Sequence, residues 1–229
     1  MSKTIFAAPV APLVSIHGSD QFFPVGRIFC VGQNYAAHAT EMGSTADYEA
    51  PFYFTKSPAS VVLSGATIPY ALKTTNLHHE MEFAVYLSGD AFGVSEATAL
   101  DVVFGYGCSL DLTRRDLQIA AKDKQRPWSV AKDFEDAAVL APITPKEAFG
   151  AIDGQRIALT VNGDVKQDST LDDLIHSVPA IIADLSTFYH LRAGDVILTG
   201  TPAGVGPLVS GDTAHGTVDG LEPVSITIA

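Results

Sequence analysis

The clearest pattern along the chain is an alternation of apolar and acidic residues that begins at position 80. Apolar side chains occupy every second position from Met81 to Leu87, which is the period of a half-buried β-strand. Glu80 and Glu82 therefore point together from the opposite face. Two carboxylates in one small volume repel each other, and the usual remedies are a raised pKa, a cationic side chain or a bound cation.

A second predicted strand, Val103–Asp111, carries another acidic residue at its end. One face would present Phe104, Tyr106, Cys108 and Leu110, and the other Gly105, Gly107, Ser109 and Asp111. The small residues leave space, and if this strand lies beside the first, Asp111 adds a third carboxylate. Oxygen ligands favour a hard ion such as magnesium or manganese over zinc. The alternative is that the glutamates lie on a solvated strand face and that Asp111 merely precedes a helix.

A short helix is predicted directly after the apolar strand at 27–32. Asn34 is a suitable N-cap, the alanines that follow favour helix, and Gly43 ends it. His38 and Glu41 are three positions apart, so they lie on one face and can pair. A histidine held by a carboxylate makes a general base, although the same pair also occurs as a surface contact on short helices.

The segment after position 111 predicts a second helix. Thr113 and Asp116 have the spacing of a capping box for a helix that runs through position 124. Arg115 and Gln118 lie on one face of this helix. The planar guanidinium suits the carboxylate of a ligand, or it pairs with a neighbouring aspartate.

Two further segments carry candidate contacts for an anion. Lys132 follows the only tryptophan, Trp128, in an apolar run, so its ammonium group either reaches the surface or is aimed into the site. The glycine-rich segment Gly200–Gly206 matches neither a dinucleotide-binding nor a Walker pattern. Its backbone N–H groups and the Thr201 hydroxyl are nevertheless suited to holding an anion.

The rest of the chain shows many short strands and few helices. Ile157–Ser169 is predicted to form a hairpin turned at Asn162-Gly163, and a helix is predicted to begin near Pro179. The apolar positions expected on its buried face are Ile181, Ile182, Leu185 and Phe188. We therefore expect a mainly β fold with a few short helices (α+β), arranged as a mixed β-sandwich or roll.

Composition narrows the kinds of partner. The 229 residues are 47% hydrophobic and 17% charged, typical of a compact globular protein. We expect residues 1–25 to form a short β leader packed on a main domain of residues 26–229. The net charge of −12 argues against nucleic acid or an anionic membrane surface as a partner. An anionic substrate would need local attraction from a metal ion or a few basic side chains.

The cysteines and the N-terminal sequence indicate the cellular compartment that we expect for the protein. Cys30 and Cys108 both lie in apolar, strand-like runs, typical of buried thiols in a reducing compartment, although a disulfide between them stays open. Prolines interrupt the apolar run near the N-terminus, which disfavours a secretion signal. No run has the length of a membrane span, so we expect a cytoplasmic protein.

Five parts of the chain together resemble the fumarylacetoacetate hydrolase family. They are Cys30–His38, His79–Glu82, Leu110–Asp116, Pro127-Trp128 with Ala131-Lys132, and Gly200–Gly206, and they occur in the family's order. Within the family the chain looks most like the short-chain members that hydrolyse fumarylpyruvate in gentisate degradation. The resemblance implies a β-sandwich roll and a homodimer.

The resemblance also implies a reaction. A 2,4-diketo acid, fumarylpyruvate, would be split at a C–C bond into fumarate and pyruvate, with the metal stabilising the enolate that leaves. Relatives include acylpyruvases, oxaloacetate decarboxylases and diketo-acid isomerases on nearly the same residues, so the metal ligands do not choose among them. A catalytically silent metal-dependent binding protein is the alternative outside enzymes.

The roles implied by the resemblance fall on residues already singled out. Mg²⁺, with Mn²⁺ or Ca²⁺ as substitutes, is expected on Glu80, Glu82 and Asp111. The implied catalytic residues are His38, Glu41 and Lys132, with His38 activating water. The implied substrate contacts are Arg115, Gln118, Lys132 and Thr201. Relatives often have a different side chain where this chain has Gln33, which leaves the contacts of the distal end of the substrate undetermined.

Overall fold

The computed structural model describes residues 4–229, which form eighteen strands and six α-helices. The strands are Leu13–Ser15 (β1), Phe22–Pro24 (β2), Ile28–Gly32 (β3), Phe52–Lys56 (β4), Val61–Leu63 (β5), Ala66–Ile68 (β6), Leu77–His79 (β7), Met81–Leu87 (β8), Val103–Asp111 (β9), Thr113–Arg114 (β10), Ala138–Leu140 (β11), Thr144–Pro145 (β12), Arg156–Val161 (β13), Asp164–Thr170 (β14), Val196–Leu198 (β15), Gly206–Leu208 (β16), Thr213–Val218 (β17) and Val224–Ile228 (β18). The α-helices are Ala36–Glu41 (α1), Glu96–Ala99 (α2), Arg115–Asp123 (α3), Ser129–Lys132 (α4), Lys146–Phe149 (α5) and Val178–Phe188 (α6). The expected mainly β fold with short helices is confirmed.

Two large mixed sheets form the body of the molecule. One has the strand order β4-β3-β15-β8-β9-β11-β5, with β12 attached to β9, and the other has the order β14-β13-β17-β18-β6. The turn at Ser64-Gly65 joins β5 to β6, so the chain crosses there from one sheet to the other. Smaller sheets, β1-β2 and β10-β7-β16, complete the fold.

Strand β8 is buried on both faces, whereas the alternation predicted burial of one face. Met81 and Phe83 pack into the main core cluster between the two large sheets. Ala84 and Tyr86 pack into a second apolar cluster on the other side. Glu82 lies on this second face, at the point where the apolar cluster gives way to polar side chains.

The predicted faces of β9 are correct except at its start. Tyr106, Cys108 and Leu110 belong to the main cluster as expected, but Phe104 packs against the second cluster. The cause is a shift of register, because Leu87 pairs with Val103 whereas the preceding residue of β8 pairs two positions further on. Such a bulge turns one side chain to the opposite face.

Two predicted helix starts are wrong. Helix α1 begins after Tyr35, because the Asn34 side chain is used elsewhere and donates to the Thr199 carbonyl oxygen at 2.9 Å. Helix α3 begins at Arg115 without the predicted capping box, because Thr113 belongs to β10 and pairs with β7. Asp116 instead accepts a hydrogen bond from Thr74 in a neighbouring loop at 2.6 Å.

The predicted hairpin and the later helix are confirmed. Strands β13 and β14 pair around Asn162-Gly163, where both residues have the positive φ of the tight hairpin turn. Helix α6 begins at Val178, one residue before Pro179. Phe188 is 67% exposed, so it is not part of the buried face to which it was assigned.

The ribbon β1-β2 covers the second apolar cluster. Val14 and Phe23 are buried there, and the Phe23 ring meets Tyr86 edge-on at 5.3 Å. The division into a leader of residues 1–25 and a main domain of 26–229 stays a prediction. Cys30 and Cys108 are buried and free, so the disulfide that the sequence left as an alternative is not formed. Within residues 4–229, no helix combines the length and apolar character needed to cross a bilayer.

Candidate metal and catalytic centre

Three acidic side chains meet at one end of β8. Glu80 directly precedes this strand, Glu82 is its second residue, and Asp111 is the last residue of β9. The Asp111 N–H donates to the Glu80 carbonyl oxygen at 2.9 Å, which holds the ends of the strands together. One carboxylate oxygen of each lies within 4.8 Å of the others, and all three residues are buried. The structure thus brings together the three predicted ligands, called here the carboxylate cluster.

Three buried cations surround the carboxylate cluster. Lys132 Nζ lies 2.6 Å from Glu80 Oε2 and 2.7 Å from Asp111 Oδ2. Its ammonium group is therefore aimed into the site and does not reach the surface. Lys56 Nζ lies 2.8 Å from Asp111 Oδ1. The Arg115 guanidinium donates to Glu80 Oε1. The three cations offset the carboxylate charges, which lowers the cost of burying so many ionisable groups.

The two glutamates have opposite pKa shifts. Burial favours the neutral acid at Glu80, but the charges of Lys132 and Arg115 outweigh burial and hold its pKa below the usual value. Burial also raises the pKa of Glu82, and the neighbouring Asp111 and Glu80 carboxylates raise it further, well above the usual value. The negative charge of Glu82 is therefore the least compensated in the cluster.

The carboxylate cluster fits a hard divalent cation. Its donors are all carboxylate oxygens, which suit magnesium or manganese. Asp111 Oδ1 is buried beside the Lys56 ammonium at 2.8 Å, but it accepts no hydrogen bond of good geometry from residues 4–229. The cavity beside the cluster has a volume of about 20 Å³, enough for one water-sized particle. An ion in it would compensate the charge of Glu82.

His38 and Glu41 of α1 pair at the same cavity. His38 Nδ1 lies 3.1 Å from Glu41 Oε2, and Glu41 Oε1 accepts from the Gly204 N–H at 3.0 Å. Because a carboxylate only accepts, this contact assigns the proton to Nδ1 and leaves Nε2 as an acceptor. His38 is 5% exposed and lines the cavity together with Glu80 and Glu82. Its burial distinguishes it from the surface pair considered as the alternative.

Arg115, Gln118 and Thr201 also line this cavity, and all three are buried. The Gln118 amide oxygen accepts from the Arg115 guanidinium, so the predicted pair along the helix is formed. Arg115 Nε donates to His78 Nδ1 at 3.3 Å. Burial and the Arg115 charge together lower the pKa of His78 to about 4, so this imidazole is neutral near pH 7.

The glycine-rich segment was predicted to bind an anion, and one of its N–H groups binds a carboxylate of the protein itself. The Gly200 N–H donates to Glu82 Oε2 at 2.8 Å. Gly200 has φ of +101°, and a Cβ there would lie 2.8 Å from Asn34 Cβ, so a side chain would disturb this contact. The next residue, Thr201, lines the cavity.

Two site residues were missed from the sequence. Lys56 ends an apolar strand, and Gln167 lies on β14 of the other sheet. The Gln167 amide oxygen accepts from the Met81 N–H at 3.0 Å, and its Nε2 donates to Thr201 Oγ1 at 2.7 Å. The sequence signal that could have identified them is a polar residue within a strand. The local pattern does not show which distant strand such a residue contacts.

Comparison with known proteins gives a consistent result. Residues 27–229 match the family described as fumarylacetoacetate (FAA) hydrolase, C-terminal. A fumarylpyruvate hydrolase of Ralstonia is 49% identical over 180 residues, covering 79% of this chain and 93% of the relative. An oxaloacetate tautomerase of Escherichia coli K12 is 40% identical over 201 residues, covering 86% and 90%.

Solved structures extend the likeness to the whole fold. The crystal structure of fumarylpyruvate hydrolase from Pseudomonas aeruginosa in complex with Mn²⁺ and pyruvate is 39% identical, with a TM-score of 0.95 and 99% coverage of both chains. The match of sequence and of fold covers the strands that carry the carboxylate cluster and the helix that carries His38. The chain therefore belongs to the fumarylacetoacetate hydrolase family.

Proposed function

We propose that this chain is a divalent-metal-dependent hydrolase that splits fumarylpyruvate, a 2,4-diketo acid, into fumarate and pyruvate. The observation that carries the proposal is the buried carboxylate cluster meeting the His38–Glu41 pair at one cavity. Similarity over most of the chain to fumarylpyruvate hydrolases of Ralstonia and Pseudomonas aeruginosa supports the choice of substrate.

His38 acts as the general base in this proposal. Its Nε2 takes a proton from a water molecule, which then attacks the distal carbonyl of the diketo acid. Glu41 accepts from Nδ1–H and stabilises the imidazolium that forms, as a carboxylate does for a catalytic histidine in other hydrolases. The Gly204 N–H holds the second oxygen of Glu41 at 3.0 Å, which fixes the direction of the pair.

Cleavage leaves the electrons of the broken C–C bond on the pyruvate part. A bound divalent cation, held by the carboxylate cluster, supplies Lewis-acid stabilisation for that negative charge. Lys132 and Arg115 bring two more positive charges to the cavity and orient the substrate carboxylate. The Thr201 oxygen already accepts from Gln167, so its own proton is directed to the substrate.

Oxaloacetate tautomerase activity is the second candidate, because the tautomerase of Escherichia coli is 40% identical. Interconversion of a keto acid and its enol needs a base that moves a proton between carbon and oxygen. It needs no attack by water. His38 beside the carboxylate cluster supplies such a base as well.

A panel of three substrates tests the two candidates. The purified protein is assayed with Mg²⁺ on fumarylpyruvate, acetylpyruvate and oxaloacetate, and again after removal of metal with a chelator. We expect the highest kcat/KM on fumarylpyruvate, and loss of activity with the chelator that added Mg²⁺ restores. Turnover of oxaloacetate alone would replace the hydrolase by the tautomerase, and no turnover at all would favour a metal-dependent binding protein.

The proposal includes three further features: magnesium as the ion in use, a homodimer, and a cytoplasmic location. Carboxylate-only ligands support a hard ion. Free, buried cysteines support a reducing compartment. Light scattering tests the dimer, for which we expect twice the 24.1 kDa mass of the chain. Titration with Mg²⁺, Mn²⁺ and Ca²⁺ compares the ions.

A further inference from the structure

A second, larger cavity opens beside the candidate centre. The cavity next to the carboxylate cluster has about 20 Å³, whereas its neighbour has about 540 Å³. The two share Phe54, Lys122, Trp128 and Lys132 as walls, so they lie side by side. The small cavity is too confined to enclose a ligand with several carbon atoms beside a metal ion. A ligand with several carbon atoms that reaches Lys132 must therefore extend into the larger one.

One wall of the larger cavity is aromatic. Phe52 and Phe54 from β4 and Trp128 from the start of α4 line it. The rings of Phe52 and Trp128 lie 5.0 Å apart edge to face, and those of Phe54 and Trp128 lie 5.9 Å apart. Aromatic side chains favour flat, conjugated groups, which offer a π-face for contact.

The larger cavity also has basic residues in its lining. Lys122 and Arg126 line the cavity, and no carboxylate among residues 4–229 lies within ion-pair distance of either. Residues 114–132 hold six of the fourteen lysines and arginines in a chain with a net charge of −12. Of these, Lys122 and Arg126 line the larger cavity without an ion-pair partner among residues 4–229, so they attract an anion locally although the whole molecule would repel one.

We infer that the larger cavity is the subsite for the distal end of the substrate and selects a planar, conjugated arm that ends in a carboxylate. This inference rests on the proposed function and names a determinant of its specificity. The flat arm lies against the aromatic wall, and its terminal carboxylate pairs with Arg126 and Lys122. Gln33, which lines only the smaller cavity, is not needed for that contact.

Two substrates that differ only at the distal end test the inference. Fumarylpyruvate carries the conjugated carboxylate, whereas acetylpyruvate carries a methyl group in its place. For Arg126→Gln we expect the ratio of kcat/KM for fumarylpyruvate over acetylpyruvate to fall about tenfold, the change that loss of one charge-assisted hydrogen bond brings. Lys122→Gln should lower the ratio as well, and the double variant should lower it further.

Lys124→Gln is the matched control. Lys124 lies between Lys122 and Arg126 in sequence, and Lys124→Gln removes the same charge, but Lys124 does not line the cavity. Its ratio should stay at the wild-type value. A fall as large as that of Arg126→Gln would assign the effect to general electrostatics and overturn the subsite, as would an unchanged ratio in all three variants.

Binding of fumarate separates the subsite from the proposed reaction. Calorimetry with Mg²⁺ present should show fumarate binding to the wild type about tenfold more tightly than to Arg126→Gln, whether or not the protein hydrolyses fumarylpyruvate. If the wild type cleaves neither diketo acid but fumarate binding depends on Arg126, the reaction is wrong and the subsite stands. Equal affinities in the two proteins would overturn the subsite even if hydrolysis is observed.

Discussion

At the scale of single residues, His38 and Glu82 should have separable effects. We expect His38→Ala to lower kcat at least about 100-fold, because the general base is lost, while the affinity for Mg²⁺ stays within about twofold. Glu82→Gln removes a ligand and should abolish both activity and tight metal binding. Steady-state kinetics and calorimetric titration with Mg²⁺ measure the two effects. Near-normal hydrolysis by His38→Ala would show that the His38–Glu41 pair is not the base.

Gln167 should act through Thr201. Its amide oxygen accepts from the Met81 N–H and its Nε2 donates to the Pro202 carbonyl oxygen at 2.8 Å, which fixes the orientation of the amide. Thr201 Oγ1 must therefore accept from Gln167, which leaves its own proton available for the substrate in the proposed reaction. We expect Gln167→Met and Thr201→Val each to raise KM several-fold. Thr201→Val removes the hydroxyl that donates to the substrate, and Gln167→Met removes the bond that orients this hydroxyl. The double variant should therefore be no worse than either single variant.

The control for this pair is Thr201→Ser, which keeps the hydroxyl and should keep KM near the wild-type value. Additive effects of Gln167→Met and Thr201→Val would contradict the coupling. A loss of kcat alone, with KM unchanged, would contradict substrate binding by the hydroxyl.

How far residues could be predicted depended on where their partners lie. Glu80 and Glu82 share a face because strand geometry alone places them there. Lys132 stayed undecided between surface and site, because its partners come from strands elsewhere in the chain. Lys56 was missed for the same reason, since only the folded sheet brings it to Asp111.

At the scale of elements, the ribbon β1-β2 offers a test of how the second apolar cluster is closed. Phe23 is 6% exposed and packs on Tyr86 and Phe104, whereas the adjacent Phe22 is 57% exposed. We expect Phe23→Ala to lower the free energy of unfolding by roughly 3–5 kcal/mol. Phe22→Ala, the matched control, should change it by less than about 0.5 kcal/mol. Urea unfolding followed by circular dichroism measures both.

Equal effects at the two positions would show that the ribbon does not seal the cluster. A large effect at Phe23 would support the prediction that the first 25 residues form a leader packed on the main domain. No residue of the ribbon lines the cavity beside the carboxylate cluster, so changes in activity should follow stability rather than chemistry.

Elements were predictable where one local rule decides. The hairpin at Asn162-Gly163 follows from turn chemistry, since both positions need positive φ. The capping box at Thr113 failed because pairing of β10 with β7 took that residue into a strand. Phe104 failed because a bulge depends on the partner strand as well as on its own sequence.

At the scale of the whole molecule, sheet order decides where the site forms. Strand β15 lies between β3 and β8, although it comes far later in the chain than either. This insertion places Gly200, whose N–H donates to Glu82, beside the end of β3, from which the chain continues into α1 and His38. Neither hydrophobic period nor turn chemistry specifies such long-range order, which is why the motifs could be found in sequence but their assembly came only from the resemblance to a family.

The buried carboxylate cluster should also make the stability of the whole protein depend on pH and metal together. Without metal, Glu82 has a raised pKa in the folded state, so folding takes up a proton between the ordinary carboxyl pKa and that raised value. The favourable contribution of Glu82 is therefore complete at low pH and declines as pH rises through this window. The lowered pKa of Glu80 has the opposite effect on stability. Its favourable contribution is lost as pH falls, and this happens below the ordinary carboxyl pKa.

A divalent cation binds the ionised form of Glu82, so it should reverse that decline. We expect the Tm of the metal-free protein to fall, relative to Glu82→Gln, as pH rises above the ordinary carboxyl pKa, because the variant has no carboxyl group to titrate at this position. The rise in Tm on adding Mg²⁺ should grow over the same range, because at higher pH fewer protons compete for the site. Differential scanning calorimetry with chelator or Mg²⁺ measures both trends. A metal-induced rise in Tm that is independent of pH, or equally large in Glu82→Gln, would mean that the cation binds elsewhere.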